Sequence, residues 1–124
     1  MPVVRAADAR RAEGPDTRRA GLATASLGAS ELTVCSVDAE FGWQGVPHKH
    51  DREEVVVVVA GAGTAVLDGV AYEIEAGDTV IVPAGVVHAF AAGAGGIECI
   101  TCEPAGIRIF DPDGNEKEAP WAMR

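Results

Sequence analysis

Two of the chain's three histidines stand two residues apart in the stretch GVPHKHDREE, which spans residues 45–54. On an extended backbone, residues two apart project from one face of the strand, so His48 and His50 share a side. Glu54 lies four residues beyond His50 and can join them on that face. Two imidazoles and a carboxylate that converge in this way suit a first-row transition metal ion. The spacing therefore predicts half of a metal site, directly before the five valines of residues 55–59.

The third histidine, His88, follows a Pro83-x-Gly85 turn that reverses the chain and starts a new strand. Such a turn brings a fourth ligand alongside a distant strand. Three imidazoles and a carboxylate suit Fe²⁺, Mn²⁺, Ni²⁺, Cu²⁺ or Zn²⁺, and suit Ca²⁺ and Mg²⁺ poorly. We expect one divalent transition metal ion per subunit and no organic cofactor. The alternative is that a short His-x-His motif arises by chance in a turn and that His88 is an ordinary surface or core residue.

The charged neighbours of the histidines fall on the other face of the predicted strand. Lys49, Asp51 and Glu53 have the opposite parity, which predicts a solvated edge. Glu53 is the fallback ligand if a β-bulge shifts the register by one residue.

Short strands separated by glycine and proline must position these ligands. Candidate strands cover residues 31–39, 53–61, 79–85, 86–93 and 96–104, and residues 63–78 form a hairpin whose turn is Asp68-Gly69. This spacing predicts an all-β sandwich or barrel. The five consecutive valines predict a strand covered on both faces, by a second sheet or by a partner subunit, which favours a homodimer.

Composition limits the remaining classes. The 124 residues suit one domain, with an N-terminal arm over 1–25, a barrel over 26–110 and a tail over 111–124. The net charge is −9, and after residue 20 sixteen acids face five bases, which excludes a nucleic-acid partner. The sequence has no apolar run long enough for a membrane span and no secretion signal, so we expect a cytoplasmic chain.

The chain has three cysteines, and Cys99 and Cys102 have C-x-x-C spacing. They lie in an apolar, β-branched segment that reads as a strand, where residues three apart point to opposite faces. Small buried side chains are therefore favoured over a redox dithiol pair.

The spacing of the site residues resembles that of the cupin superfamily. Gly42, five residues, His48-x-His50, three residues, Glu54, six residues and Gly61 match the first cupin motif. Gly77, five residues, Pro83-x-Gly85, two residues and His88 resemble the second. The fifteen residues between the motifs are at the short end for the family. Asn is often found at the position of Ala92, and this departure bears on local hydrogen bonding and on the class of substrate.

The resemblance implies a single-domain jelly-roll-like β-barrel, also called a double-stranded β-helix, with the metal inside one end. The implied ligands are His48, His50, Glu54 and His88, the same four that strand parity favours. The resemblance also implies a homodimer, often with exchanged terminal strands, which would give the N-terminal arm a partner.

Cupins perform many reactions, so the fold alone does not define the function. Our leading hypothesis is a metal-dependent oxidoreductase of the dioxygenase type that acts on a small oxygen-rich molecule. No catalytic residue is assigned, although Glu54 is the candidate base if it is not a permanent ligand. The alternatives are a Lewis-acid isomerase, decarboxylase or lyase, and a non-catalytic cupin that binds a small ligand.

Alternation along the strands predicts which side chains line a pocket beside the metal. Val56 and Val58 share parity with Glu54, Phe90 shares it with His88, and Tyr72 faces inward on its own strand. Ordinary core packing explains each of them equally well. Trp43 is a candidate cap for the mouth of the pocket. Arg108 is a candidate for anion recognition, with a surface salt bridge as the alternative.

Overall fold

The computed structural model describes residues 2–124, and these form antiparallel β-structure with three single turns of 3₁₀ helix. The 3₁₀ turns are Ala6–Asp8, Ala25–Leu27 and Trp121–Met123. The strands are β1 (Arg10–Gly14), β2 (Thr17–Ala23), β3 (Leu32–Ala39), β4 (Lys49–His50), β5 (Glu54–Leu67), β6 (Val70–Glu75), β7 (Thr79–Val82), β8 (His88–Pro104), β9 (Ile109–Phe110) and β10 (Glu116–Lys117). The prediction of an all-β fold is confirmed.

The strands form a larger and a smaller sheet that meet at the histidines. The larger sheet has the order β1-β2-β3-β8-β5-β6, with β7 also paired to β5, and the smaller sheet has the order β10-β9-β4. Two isolated bridges, Gln44 to Ala91 and His48 to His88, tie the segment before β4 to β8. The long strands β5 and β8 change register near Gly61, and such bulges bend a strand around a barrel.

Strand β5 shows why the run of valines is half buried. Glu54, Val56 and Val58 point inward and are buried, whereas Val57 and Val59 point outward and are 36% and 48% exposed. Alternate residues of a strand face opposite sides of a sheet, so only one face of β5 contacts the core. Within residues 2–124 no second sheet covers the outer face. Of the two alternatives for covering both faces of this strand, a second sheet among the described residues does not do so, which leaves a partner subunit.

The predicted hairpin turn is present, but one predicted break is not. Asp68 and Gly69 have positive φ angles of 50° and 79° and join β5 to β6. By contrast, the two strands expected over 86–93 and 96–104 form the single strand β8. Gly96 adopts a φ of 80° within that strand, and its missing side chain leaves room for the carbonyl of Ala39. The glycine that predicts a break between two strands thus bends a single strand that stays paired along its length.

The two ends of the chain pack against each other at one edge of the larger sheet. Residues 10–23 form the β1-β2 hairpin, which pairs with β3. The guanidinium of Arg10 lies 4.0 Å from the ring centre of Trp121, and Arg124 accepts a backbone hydrogen bond of 3.1 Å from Ser26. Ala122 is buried between them. The terminal segments therefore form a wall beside the core, which is built from Ala39, Val56, Val58, Ala65, Ile74, Ile97 and Cys99.

No helix within residues 2–124 is long and apolar enough to cross a membrane.

Candidate metal centre

Backbone hydrogen bonds hold the three histidines at the junction of the two sheets. His48 and His88 form a reciprocal pair, with N to O distances of 3.1 and 2.9 Å. The carbonyl of His50, on β4, accepts a 2.8 Å hydrogen bond from the N–H of Gly85 in the turn before β8. Residues forty positions apart in sequence are thus locked together by main-chain contacts. The structure brings the three predicted histidines together.

Each imidazole is oriented by a backbone carbonyl. In His48, Nδ1 lies 2.7 Å from the carbonyl oxygen of Val46. In His50, it lies 3.3 Å from the carbonyl oxygen of Arg108, and in His88 it lies 2.9 Å from that of Val86. A carbonyl oxygen can only accept, so each Nδ1 carries the proton and donates it. The lone pair of each ring is then on Nε2, and this outer hydrogen bond fixes the tautomer, as it does for metal-bound histidines.

The ring nitrogens converge on one point. One ligand atom from each of the three histidines lies within 4.8 Å of the others. The Nε2 atoms of His50 and His88 are buried and have no hydrogen-bond partner in residues 2–124. An unpaired lone pair inside a protein costs free energy unless it is given a partner. The donors therefore fit a metal ion, and the three histidines form a possible metal site.

Glu54, the first residue of β5, adjoins His50 and His88, although it is not part of the group whose ligand atoms all lie within 4.8 Å of one another. Its carboxylate oxygens lie 3.8 Å from Nε2 of His50 and 3.7 Å from Nε2 of His88. These distances are too long for hydrogen bonds. Two ligands at about 2.1 Å from one metal ion are separated by roughly 3.0 to 3.6 Å. The carboxylate thus lies near the distance at which it would share an ion with His50 and His88.

Burial keeps the ligands in the form that binds a metal. Removal from water lowers the pKa of His50 and His88, and Glu54 only partly offsets this for His50. For His88 the hydrogen bond to the carbonyl of Val86 is the main opposing effect. Both imidazoles are therefore neutral near pH 7, and a neutral imidazole is the form that ligates metals.

A second buried carboxyl group, Glu103, adjoins Glu54. It is 1% exposed, and neither of its oxygens has a hydrogen-bond partner in the described part of the chain. Val55 pairs with Cys102, which places Glu54 and Glu103 opposite each other on β5 and β8. Burial, and then the charge of Glu54, raises the pKa of Glu103 to about 9. Glu103 thus keeps a proton at neutral pH.

Sequence analysis missed Glu103, although a signal was present. It shares inward parity with Cys99 and Thr101 in the segment GIECITCEP. An acid at the end of such a row is recognisable as buried only when the partner strand is known.

The raised pKa of Glu103 predicts a pH dependence of stability. The folded protein retains the proton at pH values where the unfolded chain, with an ordinary pKa of 4.5, has lost it. The contribution is fully present below pH 4.5 and declines as the pH rises towards about 9. When the pH is raised from 6 to 8, we expect the free energy of unfolding of wild type to decrease. The decrease in Glu103→Gln should be smaller by about 1 to 3 kcal/mol, because this variant has no proton to lose.

Urea unfolding of the metal-free proteins at the two pH values measures this difference. Glu98→Gln is the control, because Glu98 is an exposed residue of the same strand. Equal pH dependence of Glu103→Gln and wild type would show that Glu103 is not protonated in the folded state.

The cluster opens into a cavity of about 400 Å³ with mostly apolar walls. This size is in the range of small-molecule sites. Val56 and Phe90 line the cavity, as does Trp43. Val58 instead packs in the core at 1% exposure. Tyr72 is 52% exposed and lies outside the cavity, because β6 is an edge strand that pairs only with β5. The expectation of pocket-lining roles for Val58 and Tyr72 therefore differs from the structure.

The other charged residues considered in the sequence analysis lie around the histidine cluster and do not belong to it. Arg108 directs its guanidinium to Glu116, at 2.7 and 2.9 Å, so the salt-bridge alternative describes it. Its backbone N–H donates to Asp51 at 2.8 Å, which holds the loop whose carbonyl orients His50. Glu53 is exposed, and Lys49 is half-buried on β4.

Comparison with known proteins agrees with this architecture. The family model described as "Cupin domain" matches residues 37–100, just over half of the chain. The chain belongs to the cupin family. This match runs from the end of β3 through most of β8 and includes the three histidines and Glu54.

Two solved structures show the same fold. An RmlC-like cupin from Shewanella frigidimarina has a TM-score of 0.73 and 27% identity, over 86% of this chain and 93% of that one. The polyketide cyclase RemF from Streptomyces resistomycificus has a TM-score of 0.76 and 20% identity, over 99% and 89%. These likenesses confirm the jelly-roll-like cupin barrel.

One curated relative also matches part of the chain. Dimethylsulfoniopropionate lyase DddW from Ruegeria pomeroyi is 38% identical over 61 residues, which are 48% of this chain. The matched region is only 40% of the length of that relative.

Proposed function

We propose that the protein is a metal-dependent enzyme in which His48, His50, Glu54 and His88 bind one divalent transition metal ion. The observation that carries this proposal is the pair of buried, unpartnered Nε2 atoms aimed at a shared point. Three imidazoles and one carboxylate favour Fe²⁺, Mn²⁺, Ni²⁺, Cu²⁺ or Zn²⁺. Such ions accept further ligands beyond these four, which leaves room for a substrate from the adjacent cavity.

The reaction that best fits the residues is a proton-transfer reaction of the lyase or isomerase type. When bound, the ion supplies a Lewis acid that polarises a substrate oxygen. Glu54 lines the cavity, and Glu103 is buried opposite it outside the lining and keeps a proton, so Glu54 is the group that would accept or return a proton beside that position. The cavity walls beside that position are mostly apolar. The likeness to a lyase over 61 residues supports the same reaction class.

The second candidate is the dioxygenase reaction. Its support is the apolar lining of the cavity, which suits a site where O₂ and an organic substrate meet at a metal held by histidines. It requires no carboxyl pair beyond the ligands, and for this reason we place it after proton transfer.

Turnover with and without oxygen separates the two reactions. The protein, loaded in turn with iron, nickel or zinc, is incubated with a panel of small acids, ketones and esters in D₂O and followed by NMR. Proton-transfer chemistry predicts C–H to C–D exchange or elimination at equal rates in air and under strict anoxia. Conversion that stops under anoxia supports the dioxygenase. A metal-loaded protein that binds compounds of the panel but converts none supports a non-catalytic binding cupin.

We also propose that the protein is a cytoplasmic homodimer that associates through the outer face of β5 and β7. Val57, Val59 and Ile81 lie on this face and are 36%, 48% and 60% exposed. Adjacent exposed apolar side chains of this kind are typical of an interface. The free, buried thiols of Cys35 and Cys99 suit a reducing compartment.

Sedimentation should give twice the mass of one chain for wild type and a single-chain mass for Val59→Asp. Val70→Asp, at a residue 52% exposed on another strand, should remain dimeric. A monomeric wild type would contradict the homodimer.

A further inference from the structure

Two adjacent arginines of β2 have opposite environments. Arg18 points outward, where its guanidinium lies 2.6 Å from Asp38 and 3.9 Å from Glu40. Arg19 points inward, because it pairs with Val37 on β3 and both residues line the cavity. Burial raises the pKa of the Cys35 thiol, the neighbouring inward residue of β3, and the positive charge of Arg19 partly offsets this rise. The first arginine thus belongs to the surface and the second to the interior wall.

The cavity offers Arg19 no carboxylate of its own. Within residues 2–124 no acidic oxygen lies within 4.0 Å of its guanidinium, and no hydrogen bond from its side chain is formed. The cavity has two lining acids. Glu54 is part of the histidine cluster, and Asp111 lies 3.8 Å from Lys117. An anion that binds beside a half-buried cation between apolar walls gives it the partner that it lacks, and binding is therefore favourable.

We infer that Arg19 is the specificity-determining residue for a carboxylate group on the substrate. The planar guanidinium presents two parallel N–H donors that match a carboxylate. The apolar side chains beside it, Val37, Val56 and Phe90, suit a short hydrocarbon body. The substrate class is therefore a small organic acid with an apolar body.

Arg19 and the histidines line the same cavity. An acid whose carboxylate contacts Arg19 would therefore direct its other end towards the histidines, where an oxygen atom would meet the metal. This second contact rests on the proposed function, whereas the contact with Arg19 does not.

The test uses benzoate and its neutral analogue benzamide as probes, with the full-length protein in metal-free and zinc-loaded forms. Binding is measured by NMR titration. Wild type should bind benzoate more tightly than benzamide. Arg19→Gln should weaken benzoate binding about tenfold or more and leave benzamide binding unchanged. Arg19→Lys keeps the charge and should lose less than Arg19→Gln. Arg18→Gln is the matched control and should behave as wild type.

Two results would overturn the inference: wild type that binds benzoate no better than benzamide, or Arg19→Gln that retains wild-type affinity for benzoate. Thermal unfolding of the variants shows that they are folded. Zinc binding is measured in parallel and should be equal in wild type and Arg19→Gln. If wild type binds no zinc, the proposed function fails, while the metal-free benzoate titration still tests Arg19.

Discussion

Replacing His88 by alanine is expected to lower the affinity of the protein for zinc by at least about a hundredfold. The ring is 1% exposed, its Nδ1–H donates to the carbonyl of Val86, and its Nε2 has no hydrogen-bond partner among residues 2–124. Loss of this nitrogen removes a ligand that is already oriented. Competition with a chromophoric chelator measures the affinity, and circular dichroism checks that the variant keeps its β-structure.

Two glutamates of the same segment provide the matched comparison for this result. Glu54→Gln should weaken zinc binding about tenfold or more, because it removes the negative charge of a carboxylate buried beside the histidines. Glu53→Gln should bind zinc as wild type does, because Glu53 is exposed on the other face. Wild-type affinity in a folded His88→Ala variant, or equal losses at Glu53 and Glu54, would contradict the ligand assignment.

Replacing Gly61 by alanine is expected to destabilise the fold by about 3 kcal/mol or more. Gly61 has a φ of 75°, and a side chain at this position would collide with the backbone of Gly96 on β8. Two penalties therefore add: an unfavourable backbone conformation and a clash with an atom that cannot move aside. Urea unfolding measures the difference in free energy.

Gly77→Ala isolates the first of these penalties. Gly77 has a φ of 95°, but a side chain there would meet no atom within 4 Å. We expect a loss of only about 1 kcal/mol for this variant. Equal losses at the two positions would show that β5 and β8 do not approach each other at Gly61 as the structure describes.

Much of the site follows from local rules applied to the sequence. His48 and His50 come together because alternate residues of extended chain share a face. Glu54 is not on that strand: a bend at residues 51–52 separates β4 of the smaller sheet from β5 of the larger sheet, so its approach to the histidines depends on how the two sheets meet. The Asp68-Gly69 turn follows from the positive φ angles that a two-residue hairpin requires. The cupin resemblance added what local rules cannot supply, which is the pairing of His88 with a segment forty residues earlier.

The features that were missed depend on contacts between distant strands. Glu103 is a buried acid only because β8 pairs with β5 in the register that places it opposite Glu54. Arg19 faces the cavity because the N-terminal hairpin joins β3, whereas the sequence shows only an arginine-rich arm. Tyr72 alternates as predicted along β6, but that strand lies at the sheet edge and leaves it exposed. Parity indicates which residues share a face, and only the topology shows what that face contacts.

The most direct test of the metal centre is elemental analysis of protein purified without added metal, beside the His48→Ala, His50→Ala double variant. The donor set predicts close to one equivalent of a divalent transition metal per wild-type chain, before or after reconstitution. It predicts less than about a tenth of that in the double variant. Equal and negligible metal in both proteins after reconstitution would contradict the metal centre, and with it the proposed chemistry.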